Sequence, residues 1–172
     1  MIGGQQIPTK RSGRSRLGLF VALLSAGLAL VLAGVALGGA FAPEPVKRDA
    51  LARTDKVKGA KDRDLVLSKV AVKPGAELAL HHHEGTQIAR IAKGTLTYTV
   101  VDGKAKVHKG DADTDPKLVR TIKAGETAKI KTGQWIVEQP SNHHMAANNG
   151  KEKVVIYLAT LLKHGAAPST PG

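Results

Sequence analysis

From residue 64 to residue 161 the chain is a series of short runs in which apolar and polar residues alternate, each closed by turn-forming residues. Strict alternation places every second side chain on one face of an extended strand, so such runs pack as half-buried strands and not as helices. The runs fall at 65–72, 77–83, 87–92, 95–101, 104–108, 118–122, 127–130, 135–139 and 153–161. Lys73-Pro74-Gly75 ends the first, and Asp102-Gly103 marks a hairpin between the fourth and fifth. Between the runs there is no helical pattern of about 12 residues, which excludes alternating strand–helix folds. The remaining class is all-β, a sandwich or barrel. Its core is mostly Val, Ile, Leu and Ala, with Tyr98, Trp135 and Tyr157 as its aromatics. So small a core is marginal in stability, and pairing into a homodimer would help it. Residues 109–116 form a polar insertion. Residues 43–63 read as a linker with a short helix at 48–53, and residues 164–172 as a disordered tail.

Ahead of the β region lies a segment of different character. Residues 17–42 carry no charge, and Lys10, Arg11, Arg14 and Arg16 precede them. A helix of that length spans a hydrocarbon core of about 30 Å, and the flanking bases hold the N-terminal side in the cytoplasm. Residues 1–16 are then a cytoplasmic basic segment, and 17–42 a transmembrane signal anchor or a cleaved signal peptide. Length favours the anchor, because a cleaved signal has an apolar stretch of about 7–15 residues. Either reading puts the β domain on the extracytoplasmic side.

The formal net charge is +12, from 26 Lys and Arg against 14 Asp and Glu. Setting the four leading bases aside leaves 22 basic residues against all 14 acids, interspersed with one another. Dispersed charge and few aromatics argue against nucleic acid as the partner. Cysteine is absent, which excludes disulfides, thiolate metal sites and a thiol nucleophile. Any metal must be held by imidazole and oxygen.

Five of the seven histidines occur in two clusters, His81-His82-His83 and His143-His144. On a strand, His81 and His83 share a face and His82 takes the other. Two imidazoles on one inner face can chelate one ion. Gln87 begins the next run and offers an oxygen, and the second cluster supplies a third imidazole. His82 is expected to face solvent or a dimer partner, and His143 to neighbour the site. Glu84 is the nearest carboxylate, but it sits in the turn. His108 and His164 have no partners in sequence.

These spacings resemble the cupin superfamily. Its first motif is matched by Gly75, His81, His83, Gln87 and Gly94, with Gln where Glu is usual. Its second is matched by Gly133, Pro140, His144 and Asn148. There the Gly–Pro gap is one residue longer, Asn142 replaces a glycine, and one residue separates it from His144. The resemblance covers residues 64–162 and implies a double-stranded β-helix, or jelly-roll barrel, following the N-terminal helix. It also implies a divalent metal on His81, His83 and His144 with Gln87 as fourth ligand, unless Gln87 lies behind the ligands. Three imidazoles suit Fe, Zn, Ni or Cu, and Mn less without a carboxylate.

Two functions follow. One is an enzyme with dioxygenase, isomerase or lyase-type chemistry on a small, anionic molecule. The other is a non-catalytic module that binds or senses a small ligand or metal. Tyr98, Trp135, Arg90 and Glu138 are candidates to line the pocket, with their faces unassigned.

Overall fold

The computed structural model describes residues 44–140 and 142–172. The basic segment and the apolar run expected as a membrane or signal helix lie outside the described residues. Among the described residues no helix is long and apolar enough to cross a membrane. The alternating runs become strands: β1 (Val46–Thr54), β2 (Arg63–Val72), β3 (Glu77–His82), β4 (Gly85–Lys93), β5 (Thr95–Val100), β6 (Lys104–Lys109), β7 (Lys117–Lys123), β8 (Thr127–Lys131), β9 (Trp135–Glu138), β10 (His144–Ala147), β11 (Val154–Lys163) and β12 (Thr170–Pro171). They form two antiparallel sheets, ordered β1-β2-β11-β4-β9-β6-β7 and β12-β3-β10-β5-β8. The architecture is an all-β, cupin-type sandwich.

Alternation fixes which residues meet between the sheets. In β4, Gln87, Ala89 and Ile91 are buried while Ile88 and Arg90 are exposed. Ile91, Val100, Ile122, Ile130, Ile136 and Val154 are fully enclosed in the core. Each such side chain contributes about 1.5–3 kcal/mol of apolar burial. Members of this core, among them Val70, Ala89, Leu96 and Ile156, line the same pocket as His81, His83 and His144.

No alternating run marks β10, and two further segments depart from expectation. Residues 46–54, read as linker and short helix, form β1, which pairs with β2 from Val46↔Val72 to Thr54↔Leu65. β1 is an edge strand, and charged residues along an edge block further strand addition. That composition removed the apolar alternation that marks a strand. The tail is also ordered: β12 pairs with β3 through Thr170↔His82 and Pro171↔His81. A proline is tolerated there because the edge needs no further donor.

Asp102-Gly103 forms the turn between β5 and β6, but the two strands belong to different sheets, so the chain crosses from one sheet to the other there and the expected hairpin is absent. Gly103 has φ +83°, and a Cβ there would lie 2.4 Å from the Asn142 side-chain oxygen. Glycine is therefore required both by the backbone and by the close approach of the loop ahead of β10.

Candidate metal centre

Two strands deliver the imidazoles. His81 is on β3, His83 immediately follows it, and His144 opens β10, where it lies opposite His81 in register. The rings meet edge-on or tilted, with centroids 5.1 Å apart for His81–His83, 4.3 Å for His81–His144 and 5.2 Å for His83–His144. One ring nitrogen from each lies within 4.8 Å of the others. His83 and His144 are buried and His81 is half-buried.

Backbone carbonyls set the tautomers. Nδ1–H of His81 donates to the Ala79 carbonyl at 2.7 Å, that of His83 to Pro168 at 2.7 Å, and that of His144 to Asn142 at 3.2 Å. A carbonyl only accepts, so the proton sits on Nδ1 and the Nε2 lone pairs are left for a metal. The donor set therefore fits a divalent ion. Burial, with the neighbouring imidazoles, lowers His81 to about 4, against the opposing pull of Ala79 and Glu138. Burial likewise lowers His144. Neutral rings are what coordination requires.

Gln87 lies in the same pocket. Its Nε2 donates to Glu138 Oε2 at 2.6 Å and is 3.2 Å from His83 Nε2, while its Oε1 accepts from Thr160 at 2.7 Å. Glu138 is the carboxylate of the site, 3% exposed. It lies 3.5 Å from both His83 Nε2 and His144 Nε2. Burial alone would push its carboxyl up. Contact with His83 and the pull of His144 outweigh that and hold it down at about 2. Tyr98 is also inward, its ring stacked on His144 at 5.0 Å. Burial and the charge of Glu138 push its hydroxyl's pKa up, so it stays protonated.

The other candidates point elsewhere. Arg90 is exposed, on the face opposite Gln87. Trp135 stacks on His108 at 4.4 Å, outside the pocket. Glu84 faces His82 at 3.6 Å and not the three-imidazole centre. His82 is half-buried against His143 at 4.7 Å, so these two form an outer pair. His164 is bound to Asp64 at 2.8 Å.

Arg48 was not anticipated. It projects from β1 into the pocket, alongside His81, Gln87 and Glu138. Partial burial lowers its pKa, and the charge of Glu138 opposes this. Among the described residues its guanidinium makes no hydrogen bond or ion pair. The inner cavity is about 30 Å³, room for an ion and little more. Arg48 and His81 also line an adjoining cavity of about 340 Å³, bounded by Leu78, Ser169 and Pro171.

The fold is an all-β sandwich of two antiparallel sheets, with three imidazoles converging where they could hold a metal ion. A family model described as a cupin domain matches residues 68–116, which include His81, His83, Gln87 and Gly94. Over those residues the chain is similar to cupin domains. Among solved structures it is similar to KdgF from Halomonas sp., at 19% identity over 70% of this chain and 83% of that one, with a TM-score of 0.46. It is also similar to a cupin 2 domain-containing protein from Halorhodospira halophila, at 14% identity over 78% of this chain and 76% of that one, with a TM-score of 0.48. A cupin 2 conserved barrel domain protein from Leptotrichia buccalis is similar at 15% identity over 71% of this chain and 43% of that one, with a TM-score of 0.45. No curated protein matches the chain in sequence.

Proposed function

We propose that this protein is a mononuclear metal cupin that takes a small anionic molecule at its metal and acts on it by dioxygenase, isomerase or lyase-type chemistry. The observation that carries the reading is the convergence of three imidazoles whose ring nitrogens lie within 4.8 Å of one another. His81, His83 and His144 hold the ion, and the Gln87–Glu138 pair on neighbouring strands supplies its fourth donor. The ion is Fe, Zn, Ni or Cu by its imidazole ligands. When bound it supplies Lewis acidity or an activated oxygen ligand.

Arg48 supports an anionic substrate. A partly buried guanidinium that makes no hydrogen bond or ion pair among the described residues favours a carboxylate or phosphate group, which it binds by paired N–H donors. The adjoining cavity accommodates the rest of such a molecule beside His81. The run at 17–42 and its four leading bases support an extracytoplasmic domain tethered to the bilayer. A homodimer through an outer sheet face is part of the same reading, since Leu65, Leu67, Ile88 and Tyr157 are exposed.

The test is metal analysis of the purified chain, followed by screening of small carboxylates and phosphates for binding and turnover with and without oxygen. One bound ion per chain, lost in His81→Ala with His83→Ala, is expected. Arg48→Gln should weaken anion binding by about 10-fold or more while leaving the ion in place. Unchanged metal content in the double histidine variant refutes the centre. Anion binding without turnover identifies a non-catalytic module.

A further inference from the structure

We propose that the carboxylate ligand of this centre is Glu138 on β9, and that Gln87 on β4 is the residue that orients it. The inference rests on the three-imidazole centre proposed above and assigns its fourth donor.

Gln87 and Glu138 are register partners on adjacent antiparallel strands. Both side chains are buried between the sheets. Directly opposed residues have Cβ atoms about 5 Å apart, so a carboxylate on either strand reaches the same point. The carboxylate expected at position 87 from the first motif has its counterpart one strand away.

Distances favour Glu138 as a donor. Its Oε2 lies 3.5 Å from His83 Nε2 and its Oε1 3.5 Å from His144 Nε2. These separations are too long for N–H···O hydrogen bonds, and both Nδ1 atoms already hold the proton. Donors that share one ion at about 2.0–2.2 Å lie about 3–3.5 Å from one another.

The Gln87 amide is turned the wrong way to be a ligand. Its Nε2 donates to Glu138 at 2.6 Å, and its oxygen is taken by the Thr160 hydroxyl at 2.7 Å. An ionised carboxylate only accepts, so rotating the amide would set oxygen against oxygen at Glu138. A neutral amide that donates to the carboxylate fixes its rotamer without competing for the ion. The consequence for metal choice is direct. One anionic oxygen beside three imidazoles admits Mn(II) as well as Fe(II), which an all-neutral shell disfavours.

The test titrates the full chain, stripped of metal, with Mn(II) and Co(II), following Mn(II) by electron paramagnetic resonance and Co(II) by its visible spectrum. Glu138→Gln is expected to lose about 100-fold in affinity and to change the Co(II) spectrum. Gln87→Ala is expected to lose about 10-fold and to retain a Co(II) spectrum close to that of the original chain. The exchange variant, Gln87→Glu with Glu138→Gln, should recover most of the affinity. Full affinity in Glu138→Gln, with the loss confined to Gln87→Ala, overturns the assignment and makes Gln87 the ligand. If Glu138→Gln does not fold, Glu138→Asp decides: weaker Mn(II) binding with a changed Co(II) spectrum supports the proposal, and unchanged affinity and spectrum in the folded variant overturn it. Failure of the unaltered chain to bind either ion overturns the three-imidazole centre itself.

Discussion

Asn148 ends the second motif, and replacing it tests how the fold holds the metal centre in register. Its side chain is wholly buried. Nδ2 donates to the Val72 carbonyl at 2.9 Å and to the Glu152 carbonyl at 2.7 Å, and Oδ1 accepts from Gly150 N at 3.0 Å. Its backbone closes the turn before β3, with Gly75 N donating to the Asn148 carbonyl at 2.8 Å and Asn148 N to Ala76 O at 2.9 Å. Asn148 thus clamps the end of β10, which carries His144, to the start of β3, which carries His81. Asn148→Ala removes three hydrogen bonds at about 1 kcal/mol each and leaves buried carbonyls short of a donor. The expected loss is about 3–4 kcal/mol, equivalent to a fall in Tm of roughly 10–15 °C for a domain of this size. Urea denaturation of the metal-free protein at neutral pH measures it. Asn148→Asp keeps the acceptor for Gly150 but loses both Nδ2 donors and should fall nearly as far. A loss under 1 kcal/mol in Asn148→Ala refutes the side chain's part in this junction, the three bonds to Val72, Glu152 and Gly150.

Other perturbations give distinct signatures. In the metal-free protein His81 titrates near 4 when folded and near 6.5 when unfolded, so the unfolded chain binds more protons between those values. Stability from this group is full above about pH 6.5 and falls as the pH drops toward 4; denaturation midpoints across that window check this, and His81→Asn should flatten the slope. Asp64 accepts from Lys56 N, Arg53 Nη2, His164 Nδ1 and Gly165 N. The Lys56 bond, opposed by burial and helped by His164 and Gly165, lowers its carboxyl to about 2. Asp64→Asn should therefore be less stable than the parent at pH 7, with the difference vanishing as the pH falls from about 4 to 2. Gly103→Ala forces a left-handed alanine against the Asn142 amide and should cost about 1–2 kcal/mol, read by thermal unfolding.

How far the sequence reveals this molecule depends on what each residue packs against. β2, β4, β5 and β11 have one face in the core, and their alternation is plain. β1 is an edge strand rich in Lys, Arg and Asp, and β12 contains two residues, Thr170 and Pro171. Their pairing comes from a neighbour's open edge, which no local pattern records. β10, at 144–147, is short and poor in β-branched residues. The imidazoles were legible because both clusters keep motif spacing. Glu138 was named without a face, because Trp135-Ile136-Val137 is apolar at every position and its parity carries no direction. Arg48 was invisible for the same reason as its strand. Gln87 could be placed at the site from spacing, but the direction of its amide depends on Thr160 and Glu138, which lie 73 and 51 positions away.

The segment after β11 has a consequence beyond its order. The Pro168 carbonyl accepts the Nδ1 proton of His83, Gly172 N donates to Leu80 O at 3.1 Å, and Ser169 and Pro171 wall the outer cavity. Whatever seats that segment also readies His83 to receive an ion. Coupling between two binding events is reciprocal, so an ion on His83 must fasten the segment by the same factor that the segment strengthens the ion. Proteolysis near residues 164–168 is then a meter of occupancy, slow when the ion is bound and fast when it is withdrawn.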